Sequence, residues 1–171
     1  MVFKIGFTKG KSVTSQLIRE ITKGEVNHTF VVIDDFVYQA HFKLGVHKKK
    51  WIDYQSGEAL KQEQIHLFCL PLQLFEKKES LARAELMADL KLKYDNRDIW
   101  DLKRKYTANT NFWKEAFRRE DTTKLICTEF VDRVLGGYFS KNLNYDYPGE
   151  LTPQEMFELA KKNLTTLSKF F

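Results

Sequence analysis

The chain has 171 residues, 43% hydrophobic and 30% charged, and a net charge of +5 from 28 basic and 23 acidic side chains. That is enough for a single domain over 1–171 with a real core, since chains of about 150 residues bury roughly two-thirds of their unfolded surface, and the composition excludes disorder. The two cysteines, Cys69 and Cys127, are too few for a disulfide framework and lie in no zinc-ligand spacing, so no metal or cofactor is expected.

From the N-terminus, Met1-Val2-Phe3-Lys4-Ile5-Gly6 lacks the apolar stretch and cleavage site of a signal peptide, and no later run approaches the roughly 18 apolar residues of a membrane span. The expectation is a soluble, cytoplasmic chain. Residues 2–8 alternate as a short strand. Ser12 then caps a helix whose buried side is Val13, Leu17, Ile18 and Ile21, and Gly24 ends it. His28 to Phe42 is the strongest β signal, broken by Asp34-Asp35 as a two-residue turn. With that turn Ile33 faces Phe36, Phe30 faces Gln39 and His28 faces His41. Opposed residues share a face, so His28, Gln39 and His41 project to one side of the hairpin, with Gln39 diagonal to His28.

Lys43 to Gln55 reads as one or two further strands, Ser56-Gly57-Glu58 as a turn, and Ile65 to Leu70 as a buried strand stopped by Pro71. Cys69 is assigned to the core and His66 to a structural role. Glu79 to Leu92 is helical by period. Asp98 to Phe117 reads as two short aromatic-rich helices, and Tyr138 to Gly149 as a loop. Leu151-Thr152-Pro153-Gln154-Glu155-Met156 is a nearly complete helix start, with Thr152 as cap, Pro153 in the first turn, Glu155 closing a capping box and Leu151 with Met156 as staple. That last helix reaches about Leu164, and Leu167, Phe170 and Phe171 form either a tail packed on the body or an apolar patch. Strands grouped between helices indicate α+β with an antiparallel sheet. The basic runs Lys48-Lys49-Lys50, Lys103-Arg104-Lys105 and Arg118-Arg119 read as solvated faces, and nucleic acid is not expected as a partner.

The stretch from Leu125 to Gly137 carries an apolar stripe of Ile126, Cys127, Phe130, Val131, Val134 and Leu135 at the helical period. Asp121, Thr122 and Thr123 offer caps upstream, and Gly136-Gly137 offers a left-handed stop. Cys127 therefore falls in or near the first turn, where unpaired N–H groups and the helix dipole favour a thiolate and could hold an oxyanion. A lone cysteine on an apolar stripe is otherwise inert packing. A histidine elsewhere that can act as base changes that reading.

The segments Val26-Asn27-His28-Thr29-Phe30, Val37-Tyr38-Gln39-Ala40, Tyr94-Asp95, Cys127-Thr128-Glu129-Phe130 and Leu151-Thr152-Pro153 resemble, in that order, the circularly permuted branch of the NlpC-type papain-like cysteine hydrolases. That branch is similar to the lecithin retinol acyltransferase group, and the resemblance spans roughly residues 5 to 160. It implies a permuted papain-like fold, a central antiparallel sheet packed against helices including the cysteine helix. It also implies Cys127 as nucleophile, His28 as base and a third polar residue on the next strand. The family often has Glu-Ala there, where this chain has Gln39-Ala40; His41 is the alternative third residue. Ile126 stands where the family commonly has tyrosine. The activity implied is amide or peptide hydrolysis through an acyl-thioester, on a peptide, peptidoglycan-fragment or lipid-linked amide. The alternatives are lipid acyl transfer or thioester hydrolysis with peripheral membrane contact, and an inactive papain-like binding module.

Overall fold

The structure, a computed structural model, describes residues 1–95, 124–145 and 151–170. The expected pair of helices in 98–117 and the capping residues Asp121, Thr122 and Thr123 lie outside the described residues. Strand β1 (Phe3–Gly10) is followed by helix α1 (Val13–Thr22), β2 (His28–Ile33), β3 (Phe36–His41), β4 (Gly45–Lys50), helix α2 (Trp51–Ser56), a 3-10 turn at Ala59–Lys61, β5 (Gln62–Cys69) and α3 (Leu74–Asp89). Then come β6 (Lys93–Tyr94), β7 (Lys124–Leu125), α4 (Cys127–Val134), α5 (Tyr138–Leu143), α6 (Pro153–Asn163) and β8 (Thr165–Phe170). The last of these gives the C-terminal tail a partner, since β8 pairs with β5.

Among the described residues six strands form one antiparallel sheet in the order β4-β3-β2-β1-β5-β8, and β6 and β7 make a separate parallel pair. The class is α+β, as the grouping of strands indicates. Period-2 alternation sends Phe3, Ile5, Phe7, Val31 and Ile33 to one face, where Phe130, Val131 and Val134 of α4 and Met156, Phe157 and Ala160 of α6 bury them. Phe30, Val32, Val37, Ile65 and Leu67 go to the opposite face and form a second core with Tyr54 of α2 and Ala59. Helices therefore cover both sides of the sheet, and its central strands are buried on both faces.

The Asp34-Asp35 turn is present, with Ile33 paired to Phe36, but the β2–β3 ladder ends at Val31 and Tyr38, short of His28. Several other boundaries also differ from the sequence reading. Residues 51–56 are helical: the Trp51 and Tyr54 rings stack with centroids 5.7 Å apart, which three-residue spacing permits on a helix and forbids on one face of a strand. Helix α3 starts earlier and stops earlier than expected, because Gln73 and Glu76 close a capping box at its front and Lys91 takes a left-handed φ of 49° after its end. Val13, expected inside, is 82% exposed, and Cys69 is only half-buried. Thr152, Pro153 and Glu155 form the expected cap of α6, and Gly136 and Gly137 take φ of 65° and 80° after α4.

Gly6 shows how closely the second core is filled. A Cβ there would sit inside the Phe30 ring, which is fully buried and held by Tyr54 with centroids 5.2 Å apart. Gly6→Ala is therefore expected to cost about 1–3 kcal/mol of stability, read from the urea midpoint. An unchanged midpoint would mean that the ring yields freely.

Candidate active site

Asn27 fixes the start of β2. Its Oδ1 accepts from the Gly10 N–H at 2.6 Å, its Nδ2 donates to Ser15 Oγ at 3.1 Å, and its own N–H donates to Thr8 O at 3.0 Å. The end of β1 and the first turn of α1 are thus tied to the residue before His28. His28 lies directly opposite Thr8, on the face of Phe30 and the second core, and its ring stacks on Phe30 with centroids 6.4 Å apart. Gln39 shares that face. Although no ladder pair joins the two strands here, His28 Nε2 meets Gln39 Oε1 at 2.9 Å.

The orientation of the Gln39 amide follows from its neighbours. Its Nε2 donates to Glu58 Oε2 at 2.5 Å and meets His47 Nε2 at 3.2 Å, while His47 Nδ1 meets the Gly45 carbonyl at 3.0 Å. A carbonyl only accepts, so His47 carries its proton on Nδ1 and its Nε2 accepts. Both neighbours on that side of the amide are then acceptors, and the amide must turn its oxygen to His28. His28 therefore donates from Nε2, and its Nδ1 is the basic nitrogen. Burial lowers the His28 pKa below 6.5, opposed by the Gln39 hydrogen bond and the Glu58 charge. The imidazole is neutral at neutral pH, as a base must be. His41 is turned elsewhere: its Nδ1 accepts from the Lys43 N–H at 3.3 Å and its ring lies edge-on to His47. Of the two candidates, Gln39 is the one bonded to His28.

Cys127 is the first residue of α4, preceded by Ile126 as cap without a side-chain cap bond. It is 4% exposed. Burial pushes its thiol up, offset in part by the Thr29 backbone, the Tyr94 side chain and the backbone of Thr128 and Cys127 itself. The thiol thus lies near the backbone of the residue next to His28. The two side chains reach this strand end from opposite faces of the sheet: α4 packs on the first face, and the imidazole projects from the second.

A cleft of about 720 Å³ is lined by His28, Gln39, Glu58 and Tyr94, with Lys11, Lys43 and Lys61 among its other lining residues. Sequence reading missed two residues of this arrangement. Glu58 sat in a stretch read only as a turn, and nothing local ties it to Gln39. Tyr94 stands out in the sequence only as part of a Tyr-Asp pair, and its nearness to Cys127 depends on the pairing of β6 with β7, which ends two residues before the cysteine.

The chain is similar over its full length to metalloprotein yiiX from Escherichia coli O157:H7, DUF1105, whose crystal structure matches with a TM-score of 0.63 at 14% sequence identity, covering 100% of this chain and 98% of that one. At that identity the likeness is one of fold. No family model matches the sequence, and no curated protein matches it. The metal implied by the neighbour's name belongs to that protein. Among the described residues here, no group of three or more His, Cys, Asp or Glu side chains is arranged to hold an ion. The nearest donors are already engaged: Glu58 with Gln39 and Lys49, His47 with Gly45 and Gln39, and His28 with Gln39.

Proposed function

We propose that this chain is a cysteine-dependent hydrolase of the circularly permuted papain-like kind, acting on amide or ester bonds through an acyl-thioester on Cys127. One observation carries the reading. A cysteine opens a buried helix near the backbone of Thr29, and the residue before Thr29, His28, has Nε2 engaged by Gln39 Oε1, which leaves Nδ1 to act as base. Both groups rest uncharged, so the thiol proton moves as attack begins rather than beforehand. His28 Nδ1 takes that proton, which requires imidazole and thiol to meet around the start of β2, while the sulfur bonds to the substrate carbonyl carbon. The oxyanion draws on the N–H groups at the start of α4 and on the Tyr94 hydroxyl. The imidazolium then protonates the departing amine or alcohol, leaving the acyl-thioester. Water, deprotonated by the same nitrogen, releases the acid and restores the thiol. The cleft beside His28 is where a peptide or lipid-linked amide would lie.

The test is a panel of peptide amides and activated esters, followed by intact mass measurement. A mass increase equal to the acyl group, mapped to Cys127, supports the reading. An absence of both turnover and adduct across the panel overturns it. Burial of the thiol also sets an expectation for alkylation: iodoacetamide should modify Cys127 more slowly than an exposed thiol at neutral pH.

The lowered His28 pKa fixes a pH dependence. Activity should rise with pH through a midpoint below 6.5 and be level at neutral pH, because only the neutral ring is a base. Stability follows the same sign. The unfolded chain binds this proton more tightly than the folded one, so the contribution is complete above 6.5 and is lost as pH falls from there toward the folded value. Rate profiles and urea midpoints between pH 4 and 8, compared with His28→Ala, check both.

A further inference from the structure

We propose that Glu58 is the charged end of this site, a positioning residue that acts on His28 through the Gln39 amide and supplies from the turn after α2 the anion that position 39 lacks. The inference rests on the reading of His28 as base, and the geometry supports it independently of activity. Glu58 is joined to Gln39 Nε2 at 2.5 Å, and Gln39 Oε1 to His28 Nε2 at 2.9 Å, so two consecutive hydrogen bonds connect carboxylate to imidazole. Each bond polarises the next: a carboxylate accepting from the amide N–H strengthens the carbonyl at the far end as an acceptor, most effectively where water is excluded. Gln39 is 1% exposed and Glu58 has a side-chain exposure of 19%.

Ionised Glu58 also sets the direction of the relay. A carboxylate can only accept, so the amide nitrogen is held toward it and the oxygen toward His28. With a neutral amide at 58 only His47 Nε2 still has to accept from the Gln39 amide, so the group is held less firmly and the proton on His28 is less strictly confined to Nε2. The arrangement keeps Glu58 ionised. Burial works against the charge, but the Gln39 hydrogen bond and the Lys49 charge prevail and hold its carboxyl below the usual glutamate value, with His41 and His47 adding to this only when protonated. The groups facing this relay are His41 from β3, His47 and Lys49 from β4 and Tyr54 from α2, with Lys49 Nζ at 3.4 Å from Glu58 Oε1. Lys11, Lys43 and Lys61 line the same cleft.

The experiment reads His28 directly by nitrogen-resolved NMR titration of the full chain, with the signal assigned through His28→Ala. In the natural sequence the ring should carry its proton on Nε2. Glu58→Gln should give mixed tautomers, a midpoint shifted to lower pH and a fall of about tenfold in kcat/KM carried mainly by kcat. The reciprocal exchange Gln39→Glu with Glu58→Gln keeps both hydrogen bonds and moves the carboxylate next to the ring. It should restore the Nε2 tautomer with a midpoint above that of the natural chain. A tautomer and midpoint unmoved by Glu58→Gln overturn the proposal, even if Cys127-dependent turnover is found. The expected NMR response without turnover on any substrate leaves the relay standing and removes the hydrolase reading instead.

Discussion

Cys127→Ala is expected to abolish amide and ester hydrolysis, lowering kcat by about 10⁴–10⁶-fold while leaving a folded protein. The size of the effect follows from what remains. Without a sulfur there is no acyl-thioester, and the N–H groups that begin α4 are left to stabilise attack by water alone. The fold should tolerate the change. Removing one buried sulfur costs about 1 kcal/mol, and the stripe that anchors α4, including Phe130, Val131 and Val134, is untouched. Circular dichroism and a urea midpoint near that of the natural chain would show this. Cys127→Ser checks the same step with a closer shape, since a hydroxyl in that enclosed position is a poorer nucleophile for the same base. Turnover unchanged in Cys127→Ala, on a substrate the natural chain cleaves, would assign the chemistry elsewhere.

Features carried by short sequence windows were legible in advance. The Asp34-Asp35 hairpin, the Ser12 and Thr152 caps, the paired glycines after α4 and the buried stripe of the cysteine helix all express a local period or a local hydrogen bond. So does the shared face of His28 and Gln39, which parity alone determines. What escaped depends on distant partners. The helical state of 51–56 rests on Trp51 and Tyr54 packing over a β face whose strands are remote in sequence, and Glu58 reaches Gln39 only because that helix turns the chain back over the sheet. The nearness of Cys127 to the Thr29 backbone is likewise not deducible from spacing, because it depends on how far the β2–β3 ladder runs before stopping. The residues after Tyr138 looked like a loop for a similar reason. Their helical state is specified by a carboxylate on the preceding helix.

That carboxylate is Asp132, and Asp132→Ala is expected to destabilise the fold by about 3–4 kcal/mol. Asp132 has no exposed surface. Its Oδ1 accepts from the Phe139 N–H at 2.7 Å and the Ser140 N–H at 3.1 Å, and its Oδ2 accepts from Ser140 Oγ at 2.7 Å. These are the first-turn amides of α5, which have no partner within the helix. Phe139 is fully buried and Ser140 nearly so, so water does not easily replace the lost acceptor. Against a total stability of roughly 5–15 kcal/mol for a domain, the loss is large enough to lower the urea midpoint well outside error, with an unchanged slope if the unfolded state is unaffected. Asp132→Asn separates charge from shape. Its carbonyl can keep both backbone bonds while Ser140 Oγ turns to the Gly137 carbonyl, 3.3 Å away, so less than half the penalty is expected. Because Asp132 lies on α4 a turn beyond Cys127, this variant should also retain its rate per folded molecule. An unchanged midpoint in Asp132→Ala would mean that solvent reaches the α5 amides, and that the helix after Tyr138 forms without the carboxylate.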